Sequence, residues 1–422
     1  PIVGIFSVGN VERYRWTDSV QHPDEIRLWV ADTVANGMRP WFTKFAGSIN
    51  DPRWLKPVEE IYNWCYRNET YLRNERPLAR VGLMYSQQTS WFYSGERDIE
   101  AVVSDPIDGW YQALIEARVP FEMVHDRFMD SEQLKAFKTL ILPNIACLSD
   151  KQCSQLRAFV EGGGGIVATY ETSLFDENGK PRNDFGLSDL FGVSFKSREG
   201  PMQNAYLTLE HETAKGHPLL KGLEDAPRII HGVNRLNVNS RLSFPNPPMT
   251  LIPSYPDLPM EKVFARIPRT DTAEVYLREF DSGGHVVFFP WDIDRTFWEI
   301  LSVDHFKLLR NAVHWATPEE SPVTVTGPGV LDVTVWKQKE SMTVHLVNLT
   351  NPMMMKGPVR ELIPLTKQQV RFRLPEGYRP RRVRLLEAGT SPRFRHKGDW
   401  IELTVPSILV HEVVAVDLKR DA

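Results

Sequence analysis

The chain has 422 residues, room for roughly two to four domains, and 42% of them are hydrophobic, ample for packed cores. A formal net charge of -4 excludes a broad basic surface for nucleic acid. No apolar run approaches the ~20 residues that a membrane span needs, so the expected partners are small molecules and further copies of the chain.

The chain opens on Pro1, without an initiator methionine or a signal-peptide pattern, as expected of a fragment or a processed product. IVGIF (2–6) predicts a strand, and a polar loop containing VERYRWTDS follows it. HPDEIRLWVADTVANG (22–37) predicts a helix with Pro23 in its first turn and Gly37 as its stop. MRPWFTKF (38–45) reads as a second strand and WLKPVEEIYNWCYRNETYLRN (54–74) as a long helix. These are a pair of βα units, too little to make a domain alone.

From residue 79 the same alternation continues. ARVGLMYS (79–86), PFEMVHD (120–126), KTLILPN (138–144) and IVATYET (166–172) predict strands, separated by helices at WYQALIEARV (110–119) and SDKQCSQLRAFVEGGGG (149–165). Ser149 is placed to cap the second of these helices and the glycine run to end it. That run, Gly162 to Gly165, lacks the GxGxxG order and precedes a strand, so it reads as a helix-terminal loop and not a phosphate cradle. Alternating strands and helices predict a parallel sheet covered on both faces.

SGGHVVFFPWDIDRTFWEILSVDHFKLLRNAVHWA reads as a Gly-Gly turn, a buried strand, an aspartate- and tryptophan-rich loop, and an amphipathic helix. WDIDR sits just past a strand end, where open α/β sheets place ligand contacts. Beyond Pro318, six runs between 330 and 418 alternate apolar and polar residues, which predicts a small antiparallel β-sandwich. NPMMMKGPVREL (351–362) interrupts them as a loop with three consecutive methionines, the kind of soft apolar patch that docks on another surface. The cysteines Cys65, Cys147 and Cys153 have neither metal-ligand nor redox spacing, and Cys147 and Cys153 read as buried or partly buried thiols. No metal or other cofactor is expected.

LILPNIACLSDKQCSQLRAFVEGGGGIVATYETSLFDENG, GHPLLKGL (216–223) and GGHVVFFPWDIDRTFW with its following DHFKLLRNAVHWA together carry a resemblance. Over about 79–316 the chain resembles the class I glutamine amidotransferase-like fold, as found in the trimerisation domain of certain β-galactosidases. An amidotransferase has a cysteine in a tight turn after this kind of strand, whereas ATYETS has none. Without a thiolate there is no nucleophile for amide hydrolysis, so the resemblance implies an assembly module. In such hydrolases this domain follows a (β/α)8 barrel. The implied fold class is therefore α/β: the last two βα units of the barrel (1–76), a flavodoxin-like, amidotransferase-like parallel domain (77–317) and a β-sandwich (318–422).

The resemblance also implies a chemistry. Glycoside hydrolysis needs two carboxylates at the carboxyl ends of different barrel strands, and this chain could carry one of them at most. The nucleophile of related barrels follows the strand placed here at 2–6. SVGN supplies no carboxylate there, and the nearest acids are Glu12 and Asp18; Glu12 is the candidate nucleophile or a solvated loop acid. Trp16, Trp41 and Lys44 are candidate sugar-binding residues, the last two alternatively a rim tryptophan and a snorkelling lysine. Trp291, Asp292, Asp294 and Arg295 are either substrate contacts or an aromatic and ion-pair cluster at a subunit boundary. Two function classes follow: the carboxyl-terminal portion of a glycoside hydrolase acting on terminal sugars, β-galactosidase- or fucosidase-like, or a non-catalytic carbohydrate-linked assembly protein. In either case self-association is expected, as a trimer, and this chain alone is not expected to turn over glycosides.

Overall fold

A computed structural model describes residues 3–7, 19–44, 50–95, 97–351, 359 and 361–420. The chain forms two compact units, one from Arg80–Ala117 and Phe121–Glu320, the other from Pro1–Ala79, Arg118–Pro120 and Ser321–Ala422.

The first unit is built on a six-stranded sheet. Its order is Tyr276–Glu279, His285–Phe289, Gly165–Thr169, Thr139–Leu142, Val81–Tyr85 and Phe121–His125, and all neighbours are parallel except the Tyr276–Glu279 edge. The central strands TLIL and GIVAT are buried along their whole length, as strands covered on both faces must be. The first strand in sequence, Val81–Tyr85, lies between the second and the third, so the strand order reverses there. That reversal opens a crevice at the carboxyl ends of the strands.

Helices fix what lines the crevice. Ser149 caps Asp150–Glu161 through a full capping box with Gln152, as its position predicted. The Asp105–Glu116 helix meets the Ile293–Ile300 helix backbone to backbone: a Cβ on Gly109 would lie 2.1 Å from the Asp294 carbonyl oxygen. WDIDR, expected as a loop, is instead the start of that Ile293–Ile300 helix, with Asp292 at the N-cap position. A left-handed Leu301 (φ 50°) ends it, and a second helix runs over Val303–Ala316. Between the fourth and fifth parallel strands lies an insertion of short antiparallel strands absent from the sequence expectations. Val193–Glu199 pairs with Arg235–Ser240, and Tyr206–Leu209 lies between Arg228–Ile230 and Met249–Ile252.

In the second unit, Val3–Ser7 and Arg39–Thr43 pair in parallel, joined through the Pro23–Ala35 helix and followed by Leu55–Arg67. Two antiparallel sheets, one of four strands and one of five, bury a common core that includes Val333, Val344, Val370, Phe372, Ile401 and Val414. The Pro23–Ala35 helix ends against these sheets: Trp336 Nε1 and Thr334 Oγ1 each donate to the Ala35 carbonyl at 2.7 Å. Beside them Asn36 Nδ2 donates to Asp332 Oδ2 at 3.0 Å. Burial pushes the carboxyls of Asp32 and Asp332 up, and the neighbouring Asp332 raises Asp32 further. The methionine loop at 352–358 lies outside the described residues.

Candidate functional site

A cavity of about 280 Å³ opens at the carboxyl ends of the first unit's parallel strands. Each wall comes from a segment that leaves the sheet. Tyr93 stands on a π-helical turn, Thr89–Tyr93, beyond the first strand, and Asn144 follows the third. Tyr170 and Glu171 follow the fourth, and Asp292, Asp294 and Arg295 follow the fifth. Arg198 reaches the cavity from the inserted strand Val193–Glu199.

Glu171 is buried and anchors one side. It accepts from the Tyr93 hydroxyl at 2.5 Å and from Arg198 Nε, while its own amide donates to Asn144 Oδ1 at 3.2 Å. Burial, and then the Glu171 charge, push the Tyr93 phenol well up, so it stays a proton donor. Asp292 anchors the other side. Its Oδ1 accepts from the amides of Val233 and Asn234 at 3.0 Å each, and its Oδ2 accepts from Asn234 Nδ2 and Arg295 Nε at 2.9 Å each. Asp294 is fully buried: Thr169 Oγ1 donates to its Oδ2 at 2.6 Å and the Arg295 amide to its Oδ1 at 2.9 Å. Burial pushes its carboxyl up to about 7, against the lowering effect of those two hydrogen bonds.

The backbone at Tyr170 has φ 47°, a left-handed conformation that aromatic residues seldom adopt. This is the turn after the Gly165–Thr169 strand, and it presents a phenol and not a thiol. The three cysteines are elsewhere, and burial pushes Cys65, Cys147 and Cys153 up to about 11, 12 and 11. Neutral thiols of this kind are poor nucleophiles.

The structure sorts the sequence-predicted site residues. Asp292, Asp294 and Arg295 line this one cavity. Trp291, expected at a substrate wall or an interface, is instead a core residue with 0% exposure, its Nε1 donating to the Glu274 carbonyl at 2.9 Å. It has no surface to offer a sugar, because its ring packs against His231, Phe289 and His305. Trp41 and Lys44 belong to the other unit. Trp41 is 52% exposed, and Lys44 Nζ donates to the Ser19 carbonyl at 2.8 Å. Glu12 and Trp16 lie outside the described residues. Sequence reasoning missed Tyr93, Arg97, Tyr170, Glu171 and Arg198; the signal for two of them was the Tyr-Glu pair in ATYETS, weighed only for its missing cysteine. Among the described residues no cluster of three or more His, Cys, Asp or Glu is placed to hold a metal ion. No helix among them is long and apolar enough to cross a membrane.

Residues 79–208 match the β-galactosidase trimerisation domain family. A search of curated proteins gave no match. Among solved structures, the fold is similar to that of α-L-fucosidase isoenzyme 2 from Paenibacillus thiaminolyticus, with 18% identity and a TM-score of 0.75, over 99% of this chain and 60% of that one. It is also similar to the β-galactosidase from Bacillus circulans sp. alkalophilus, with 14% identity and a TM-score of 0.64, over 98% of this chain and 55% of that one. A third likeness is to Gan42B, a GH42 β-galactosidase from G. stearothermophilus, with 15% identity and a TM-score of 0.62, over 100% of this chain and 54% of that one. This chain therefore spans less than two thirds of each of these chains, and at such identities the likeness is one of fold. The resemblance read in the sequence holds over residues 79–208, which match a β-galactosidase trimerisation domain, and in fold the chain is similar to a fucosidase and to a GH42 β-galactosidase.

Proposed function

We propose that the chain is the carboxyl-terminal portion of a glycoside hydrolase acting on terminal sugars, β-galactosidase- or fucosidase-like, and that its parallel α/β domain serves oligomerisation, as a trimer. The observation that carries this is the end-to-end likeness of fold to a fucosidase and to β-galactosidases, joined to the trimerisation-domain match. The phenol at the elbow supports an assembly role over amide hydrolysis, since no cysteine lines the cavity among the described residues.

Residues 1–76 are, in this proposal, the last two βα units of a barrel. Supporting it, the parallel pair Val3–Ser7 and Arg39–Thr43 leaves Ile5 61% and Trp41 52% exposed, although parallel strands are normally covered on both faces. Glu12 would then be a nucleophile, with Trp16, Trp41 and Lys44 around a sugar subsite, and the second carboxylate would come from another barrel strand. Trp291 drops out of the proposed sugar contacts, while Asp292, Asp294 and Arg295 remain cavity residues. The lack of a carboxylate in SVGN favours, as a second reading, a carbohydrate-linked assembly protein without catalysis.

Assays on aryl β-D-galactosides and aryl α-L-fucosides separate the two. The pure chain is expected to give no turnover, and the same chain extended by its natural upstream coding sequence is expected to hydrolyse one of them. Turnover by the short chain would overturn the division of the site. An extended chain with six further βα units and no activity on any aryl glycoside would favour the assembly reading.

A further inference from the structure

We propose that the cavity at the carboxyl ends of the parallel strands is a binding site for a small hydroxylated monocarboxylate of monosaccharide size, a sugar acid. This does not rest on the glycosidase reading, because a chain that never meets a glycosidic bond keeps the same cavity.

Three donors at this cavity have capacity left for a ligand. The Arg97 guanidinium lies over the Tyr93 ring, 4.3 Å from its centroid, and hydrogen-bonds the Tyr93 carbonyl at 3.3 Å. Among the described residues it has no carboxylate partner. Arg295 Nη2 is buried and has no hydrogen-bond partner. The Tyr170 hydroxyl likewise finds none among the described residues, and burial pushes its pKa up, which keeps it a donor. A buried donor without a partner, such as Arg295 Nη2, is costly in a folded chain unless a ligand answers it, whereas Arg97 and the Tyr170 hydroxyl exchange water for a ligand.

Charge then selects the ligand. Arg198 is answered by Glu171, and Arg295 by Asp292 and Glu299. Among the described residues Arg97 alone of these three has no carboxylate partner, so the cavity suits one negative charge. A planar guanidinium takes a carboxylate through two parallel N–H bonds, whereas a phosphate dianion would bring one charge too many. Glu171 accepts two hydrogen bonds and has lone pairs left for a ligand hydroxyl, and the Tyr170 phenol can donate to another. At ~30 Å³ per water, a cavity of about 280 Å³ holds roughly nine waters, the bulk of one monosaccharide.

Backbone features agree with a ligand role. Tyr170 is held at φ 47° and Tyr93 stands on a π-helical turn, and both kinds of irregularity collect at functional sites. The crevice also lies where strand order reverses, the common ligand position in open α/β sheets.

Isothermal titration calorimetry of the full chain with sodium D-galacturonate, D-galactose and sodium phosphate tests this. Saturable galacturonate binding is expected, with D-galactose weaker by about ten-fold or more for want of a charge-assisted bond. Arg97→Gln is expected to weaken galacturonate by about ten-fold and to leave galactose unchanged, while its melting temperature without ligand stays that of the wild type because Arg97 is exposed. Tyr170→Phe is expected to weaken both sugars by a few-fold. The proposal is overturned if millimolar galacturonate does not bind, if galactose binds as well, if phosphate binds more tightly than galacturonate, or if Arg97→Gln binds galacturonate unchanged.

Discussion

Trp41 sits within a parallel strand and Trp291 just past the end of one, and they have opposite fates. Trp291 follows the fifth strand of a sheet covered on both faces and is fully buried. Trp41 belongs to a sheet of only two parallel strands among the described residues and is 52% exposed. The difference is one of completeness. A covered sheet consumes its tryptophan in packing and leaves its function to the polar groups at the strand ends, while the two-stranded pair displays apolar side chains that further strands or another surface would cover.

Substitutions can break this comparison. Trp291→Ala should cost about 3–5 kcal/mol, the cost of emptying a large buried site, read from the urea midpoint of the full chain. A cost below ~1 kcal/mol would mean that Trp291 is not the packed residue described. Asp294 sharpens the other half, the polar strand ends. A carboxyl raised in the folded state stabilises fully below its unfolded value, near ~4, and that contribution is lost as pH rises through its folded value of about 7. Wild type should therefore lose on the order of 1 kcal/mol per pH unit across that window relative to Asp294→Asn. Parallel stability curves for the two proteins between about pH 4 and pH 7 would contradict a buried, protonated Asp294.

Smaller effects follow. Ser149→Ala removes the side-chain half of a capping box, the hydroxyl that accepts from the Gln152 amide, and should cost about 1 kcal/mol, without touching the cavity. Trp41→Ala in this chain should change stability by less than ~0.5 kcal/mol, since half of its surface is already in water. A large loss at Trp41, measured by the same urea titration, would mean that the strand pair is covered in solution by something the chain alone supplies.

Much of the covered sheet was legible before the structure. VGLMY, TLIL, GIVAT and HVVFF are apolar runs of strand length, and Ser149 stands at its cap with Gln152 three residues on, all local signals. The Ile293–Ile300 helix was not legible, because two aspartates and a tryptophan look like a loop until Gly109 lets another helix backbone approach. The inserted strands were missed for a similar reason. VSFKSRE is buried only at its first residue and half-buried at the next two, so it shows no clean alternation. At the site, WDIDR declared itself by following a strand. Arg97 and Arg198 gave no signal, because only the tertiary fold brings a bend between two helical turns and an inserted strand to one cavity.

The central claim, that the parallel domain assembles this chain, is tested most directly by sedimentation equilibrium of the pure protein at micromolar concentration. A trimer of 48.5 kDa chains is expected. A stable monomer over the whole concentration range would contradict it.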